Sequence, residues 1–206
     1  RPKLLKDFYG QKVAMAQVKG FIKSKSVPST ILISGGSGLG KTTLANIIAK
    51  KINDGDTSCI EEINMANQRT IDDARKIEEK SKYMPTSPYR VFICDEAHQM
   101  TQASASVLLK VLEESNPRII FILVTNMEEK LLGTIYNRCH KISLNYLDDS
   151  EIEEMLKAIV KKFPKYKSAF IKNKNALVKC SMGTPRAAVH NLEKAYYLLS
   201  SGMLFK

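Results

Sequence analysis

Short apolar runs alternate with stretches whose apolar residues recur at helical spacing, as far as residue 145. Ile31-Leu32-Ile33 runs into a glycine-rich segment, and an amphipathic stretch follows over residues 42–51. Glu62-Ile63-Asn64-Met65 reads as a weaker strand, and residues 71–83 as a helix that stops before Pro85. Val91-Phe92-Ile93-Cys94 is a clear strand, followed by a helix over 102–114. Residues 119–124 are six apolar residues without alternation. Such a run fits a strand covered on both faces of a parallel sheet. His140-Lys141-Ile142-Ser143-Leu144 makes a fifth strand. The pattern predicts a doubly wound, five-stranded parallel sheet with helices on both faces. After Asn145 the strands cease, and residues 149–162, 168–180 and 185–200 read as helices. Pro164 and Gly183-Thr184-Pro185 punctuate them, with Pro185 suited to a first helical turn. The expected domains are an α/β core over residues 1–146 and a small all-helical domain over 147–206.

The chain has 206 residues, room for one such core and one small companion. An apolar share of 44% supports a buried core and excludes wholesale disorder. No apolar run approaches the ~18 residues of a membrane span, so no membrane partner is expected. No apolar signal segment follows Arg1-Pro2-Lys3. Lys plus Arg number 32 against 21 Asp plus Glu, a net charge of +11. That balance suits a polyanionic partner, or equally a solvated lysine-rich surface. Cys59, Cys94, Cys139 and Cys180 are far apart and form no C-x-x-C pair. This is a reducing, cytoplasmic pattern rather than a disulfide framework or a zinc site.

Gly35-Gly36-Ser37-Gly38-Leu39-Gly40-Lys41-Thr42 satisfies G-x-x-x-x-G-K-[ST] between a strand and a helix. Glycines let main-chain N–H groups wrap a phosphate, and the helix adds its positive end. Lys41 can reach the β and γ phosphates of ATP and the Thr42 hydroxyl can serve Mg²⁺, with Thr43 beside them among the nucleotide-binding residues. Asp95-Glu96 ends an apolar strand, where the ligand crevice of a parallel sheet lies. Asp95 suits the metal and Glu96 the attacking water. By themselves these acids could equally cap a helix. His98 completes Asp95-Glu96-Ala97-His98 and reads as incidental.

Thr125-Asn126 closes the six-residue apolar strand. The Asn126 amide could orient the lytic water or simply form a turn. Arg138 precedes the last strand and Arg186 opens the last helix. Either guanidinium suits a phosphate, although a surface role is the default for a single arginine.

These pieces, in this order, resemble the clamp-loader ATPases of the AAA+ superfamily. Arg1-Pro2-Lys3 with Asp7-Phe8-Tyr9-Gly10-Gln11 is similar to the family's opening, which implies that Tyr9 and Gly10 lie near the adenine. Glu62 to Ala66, with Arg69-Thr70, resembles the family's second strand and the following helix start. Leu109-Lys110-Val111-Leu112-Glu113-Glu114 resembles the L-K-x-L-E-E of the bacterial gamma/tau subunit. The resemblance places Asn126 at sensor 1 and Arg138 at the arginine of an S-R-C motif, with Asn137 in place of the serine. It implies that Arg138 acts in trans on ATP held by a neighbouring subunit. Gly183-Thr184-Pro185-Arg186 is similar to sensor 2, with a proline where the family usually has another residue; Arg186 would then touch ATP in its own subunit. The family's four-cysteine zinc module has only Cys59 in its place, so no zinc is expected.

The resemblance implies an AAA+ P-loop NTPase with a helical lid, using ATP and Mg²⁺ to load a sliding clamp on primer–template DNA. Its expected partners are other clamp-loader subunits in a homo- or hetero-oligomeric ring, a pentamer, together with the clamp and DNA. The helix starts at Arg69-Thr70 and Thr101-Gln102 would face DNA phosphates, or act as ordinary caps. In the family the lid continues into a helical collar; this sequence ends at Lys206. Two other readings stand beside this one. One is a structural subunit that contributes mainly its arginine. The other is another AAA+ DNA motor, such as a branch-migration helicase.

Overall fold

The computed structural model describes residues 2–67, 70–114, 116–203 and 205. In chain order it holds α1 (Lys12–Ser24), β1 (Thr30–Gly35), α2 (Lys41–Ile52), β2 (Ile60–Asn64), α3 (Ile71–Ser81), β3 (Arg90–Asp95), α4 (Gln102–Glu113), β4 (Ile119–Thr125), α5 (Gly133–Tyr136), β5 (His140–Leu144), α6 (Asp149–Lys162), α7 (Lys167–Cys180) and α8 (Pro185–Ser200). Contacts divide the chain into two units. The first takes Arg1–Leu5, Val13–Gly35 and Lys41–Leu144; the second takes Lys6–Lys12, Gly36–Gly40 and Asn145–Lys206.

The first unit is built on one parallel sheet of order β2-β3-β4-β1-β5. Its middle strand, β4, is buried at every position, as its unbroken apolar run requires. Phe92 of β3 stacks on Phe121 of β4 with ring centroids 5.2 Å apart. Burying a side chain of that size stabilises by about 1.5–3 kcal/mol. The register sets Asn64 beside Asp95, Cys94 beside Leu123 and Ser34 beside Thr125. The carboxyl ends of β1, β3 and β4 therefore finish level, with Gly35, Asp95 and Thr125 as their last residues. Gly35 has φ 139°, and a Cβ there would run into the Leu144 carbonyl, so only glycine closes this edge comfortably.

Three elements depart from the sequence reading, the short helix α5 among them, since no element is predicted between β4 and β5. Helix α1 is missing from the sequence reading, although Ala14, Met15 and Val18, which it buries, fall with the half-buried Phe21 and Ile22 at helical spacing. Strand β2 begins at Ile60, before the predicted start, and carries Glu61 and Glu62. Charged residues suit it because β2 is an edge strand, and Glu61 accepts from Lys80 Nζ at 2.7 Å.

The second unit is helical. Ile152 and Leu156 of α6, Phe170 and Leu177 of α7, and Ala188 and Leu192 of α8 form its core, against which Tyr9 packs. Asp148 and Glu151 form a reciprocal capping box at the start of α6. The Gln11 side chain clamps the Asn145 backbone, accepting from its N–H at 3.0 Å and donating to its carbonyl at 2.5 Å. Gly10 (φ 64°) has no room for a Cβ, which would strike Leu147.

Candidate functional site

Within the first unit, the phosphate-loop helix and the tip of β3 meet. Lys41 is the first residue of α2, and its Nζ donates to the Gly35 carbonyl at 2.9 Å. The next residue, Thr42, donates its hydroxyl to Asp95 Oδ2 at 2.8 Å. The other Asp95 oxygen accepts the Glu96 main-chain N–H at 2.9 Å. A hydroxyl and a carboxylate side by side are the hard oxygen donors that Mg²⁺ prefers, and they leave the remaining coordination to water and phosphate. Glu96 follows in a left-handed conformation, φ 53° and ψ 41°. A non-glycine residue there costs on the order of 1–3 kcal/mol and recurs at functional sites. Its side chain is 44% exposed, so its carboxylate can meet a water.

Beneath Glu96 lies His98, which reads from the sequence as incidental: its side chain is only 4% exposed, and Nδ1 lies 3.1 Å from Thr125 Oγ1. Thr125, itself buried, also accepts the Met127 N–H at 3.0 Å. Asn126 follows Thr125 at a bend, with its side chain exposed. Local sequence carries no signal for this link, because His98 and Thr125 are 27 residues apart and meet only through the β3–β4 pairing.

Arg138 lies after α5, in the same unit but in a different setting. Nη2 is 2.5 Å from Glu113 Oε1 and Nη1 donates to the Thr134 carbonyl at 3.0 Å. Glu113 belongs to the L-K-x-L-E-E segment, so the motif and the arginine are joined. Thr43 is half-buried in the first turn of α2. Thr70 caps α3 in a reciprocal box with Asp73, and Thr101 caps α4 by accepting the Ser104 N–H at 3.2 Å. Gln102 is exposed, and Arg69 lies outside the described residues.

Within the second unit, residues 36–40 of the phosphate loop meet the start of α8. Pro185 occupies the first turn, where its missing N–H costs nothing. The Arg186 N–H donates to the Gly38 carbonyl at 3.2 Å, and the Arg186 side chain is exposed. A Cβ on Gly38 would lie 3.2 Å from Arg186 Cβ, so loop and helix start are closely fitted.

The thiols differ in setting. Burial pushes Cys94 up to about 12 and Cys139 up to about 11. Hydrogen bonds led by the Thr86 hydroxyl bring Cys59 down to about 6. Among the described residues, no group of three or more His, Cys, Asp or Glu side chains is placed to hold a metal ion. Among them, too, no helix is long and apolar enough to cross a membrane.

The family described as DNA polymerase III, delta subunit matches residues 54–148. The chain is 34% identical over 183 residues to the DNA polymerase III subunit gamma of Buchnera aphidicola subsp. Schizaphis graminum, covering 79% of this chain and 50% of that protein. It is 32% identical over 182 residues to the gamma/tau subunit of Mycobacterium tuberculosis, covering 77% of this chain and 32% of that protein. The chain thus spans between about a third and a half of these relatives' length. Among solved structures, the Thermotoga maritima RuvB Holliday junction branch migration motor has a TM-score of 0.75 at 22% identity, covering 100% of this chain and 68% of that one. That likeness bears on the fold alone.

Proposed function

We propose that this chain, an AAA+ protein related to the gamma and gamma/tau subunits of DNA polymerase III, binds and hydrolyses ATP with Mg²⁺ in a clamp loader. The observation that carries this reading is the 2.8 Å contact between Thr42 and Asp95, with Glu96 next in sequence. A subunit contributing only an arginine has no need of that contact.

In this reading the main-chain N–H groups of residues 35–42 grip the phosphates and Lys41 neutralises the β and γ oxygens. Thr42 and Asp95 hold Mg²⁺, which when bound offsets charge on the transferring phosphoryl group. Glu96 accepts a proton from the attacking water and Asn126 orients that water. Tyr9 and Gly10 lie by the adenine. Arg186 reads the phosphates in its own subunit, and Arg138 completes the site of a neighbour. The helix starts at Arg69-Thr70 and Thr101-Gln102 face DNA phosphates, contacts that carry no base sequence and weaken with salt. The assembly is a pentameric ring that loads a sliding clamp on primer–template DNA in the cytoplasm.

Steady-state ATP turnover of the full-length protein with its partner subunits tests this reading. Turnover should rise with primed DNA and clamp together and vanish in Glu96→Gln. Turnover that ignores the clamp would point instead to another AAA+ DNA motor. Absence of turnover, with Arg138 still needed by the neighbour, would leave only the structural role.

A further inference from the structure

Glu96 stands on a strained backbone with a half-exposed side chain, and catalysis needs its carboxylate in one place. The His98 ring lies below it, Nδ1 being 3.6 Å from Glu96 Oε2 and 3.1 Å from Thr125 Oγ1. The tautomer of the neutral ring follows from its partners. Gln99 presents its amide nitrogen to His98 Nε2 at 3.2 Å, and an amide nitrogen only donates. Nε2 therefore accepts, and the neutral imidazole carries its proton on Nδ1. That N–H points at Thr125 Oγ1, which also accepts the Met127 N–H at 3.0 Å, and its positive end lies beside the Glu96 carboxylate. One ring thereby ties the tip of β3, which leads into Glu96, to the tip of β4, which leads into Asn126. The ring is packed on its other sides, so it has no freedom to act as a surface group would.

We propose that His98 is a positioning residue for ATP hydrolysis: through its hydrogen bond to Thr125 it fixes Glu96 and Asn126 relative to one another, so that base and water-orienting amide address the same water. This assignment rests on Glu96 serving hydrolysis. No change of charge on the imidazole is required; the ring acts as a brace with one donor at a defined place. A brace of this kind affects the chemical step, where placement matters most, and leaves nucleotide binding to the loop.

The test compares His98→Ala, His98→Asn, Thr125→Val and Glu96→Gln in the full-length protein assembled with its partner subunits and primed DNA. Turnover and affinity for a fluorescent ATP analogue are both measured. His98→Ala and Thr125→Val should lose about 10²-fold in kcat with nucleotide affinity unchanged. His98→Asn places an amide N–H near the former Nδ1 and should recover most of that loss. A histidine needed only for packing would predict no such rescue, so an Asn variant as slow as Ala overturns the assignment. Loss of nucleotide affinity in step with kcat also overturns it. Should His98→Ala fail to fold, Thr125→Val decides instead: a full rate there overturns the brace, and a slow one with intact affinity supports it. Full turnover in His98→Ala with a dead Glu96→Gln removes the brace and leaves the ATPase reading intact. Full turnover in Glu96→Gln removes both.

Discussion

Between the tips of β3 and β4 a hydrogen-bonded pair lies inside the fold, the His98 side chain 4% exposed and Thr125 buried beside it. Arg138, in the same unit, leans on one glutamate at the surface, the pair 42% and 55% exposed. The first region is fixed by hydrogen bonds to the buried Thr125 and by a strained backbone at Glu96. The second is held by an exposed ion pair of a kind worth roughly 0–1 kcal/mol, which an arriving phosphate can displace. On the proposed function, the residue that braces a subunit's own site is locked, and the arginine offered to a neighbour's site is left free to move.

Of the substitutions that probe this contrast, the largest expected effect falls on the exposed side. Arg138→Ala in the assembled ring should cut DNA-stimulated turnover by about 10³-fold while leaving nucleotide binding unchanged. Unaltered stimulation would remove the trans assignment and dissolve the contrast. On the fixed side, Lys41→Ala should weaken nucleotide affinity by about 10²-fold, the cost of leaving phosphate charge unpaired. Equilibrium binding to the unassembled protein is enough to see it, because the effect needs no neighbour. The smallest effect sharpens the contrast: Glu113→Ala should change stability by less than about 1 kcal/mol in thermal unfolding. A much larger loss would mean that Arg138 is as firmly built in as His98.

The parts legible in the sequence are those governed by neighbours along the chain. The unbroken run of β4, the glycine spacing before Lys41 and the carboxylates ending β3 each carry their meaning within a few residues. So does Pro185 in the first turn of α8. What stays hidden depends on approach across the fold. His98 finds Thr125 at a separation of 27 residues, Arg138 finds Glu113 at 25, and Gln11 finds Asn145 at 134. Helix α1 is blurred rather than hidden: Ala14, Met15, Val18, Phe21 and Ile22 keep helical spacing, but the exposed Val13 and the mid-helix Gly20 interrupt the stripe.

At position 96 the backbone would relax if the side chain were deleted, since glycine occupies that conformation without penalty. Glu96→Gly should therefore keep or raise the melting temperature while discarding the carboxylate. A laboratory selection that rewards heat resistance alone would drift toward glycine there, and its hardiest survivors would be the ones stripped of their chemistry.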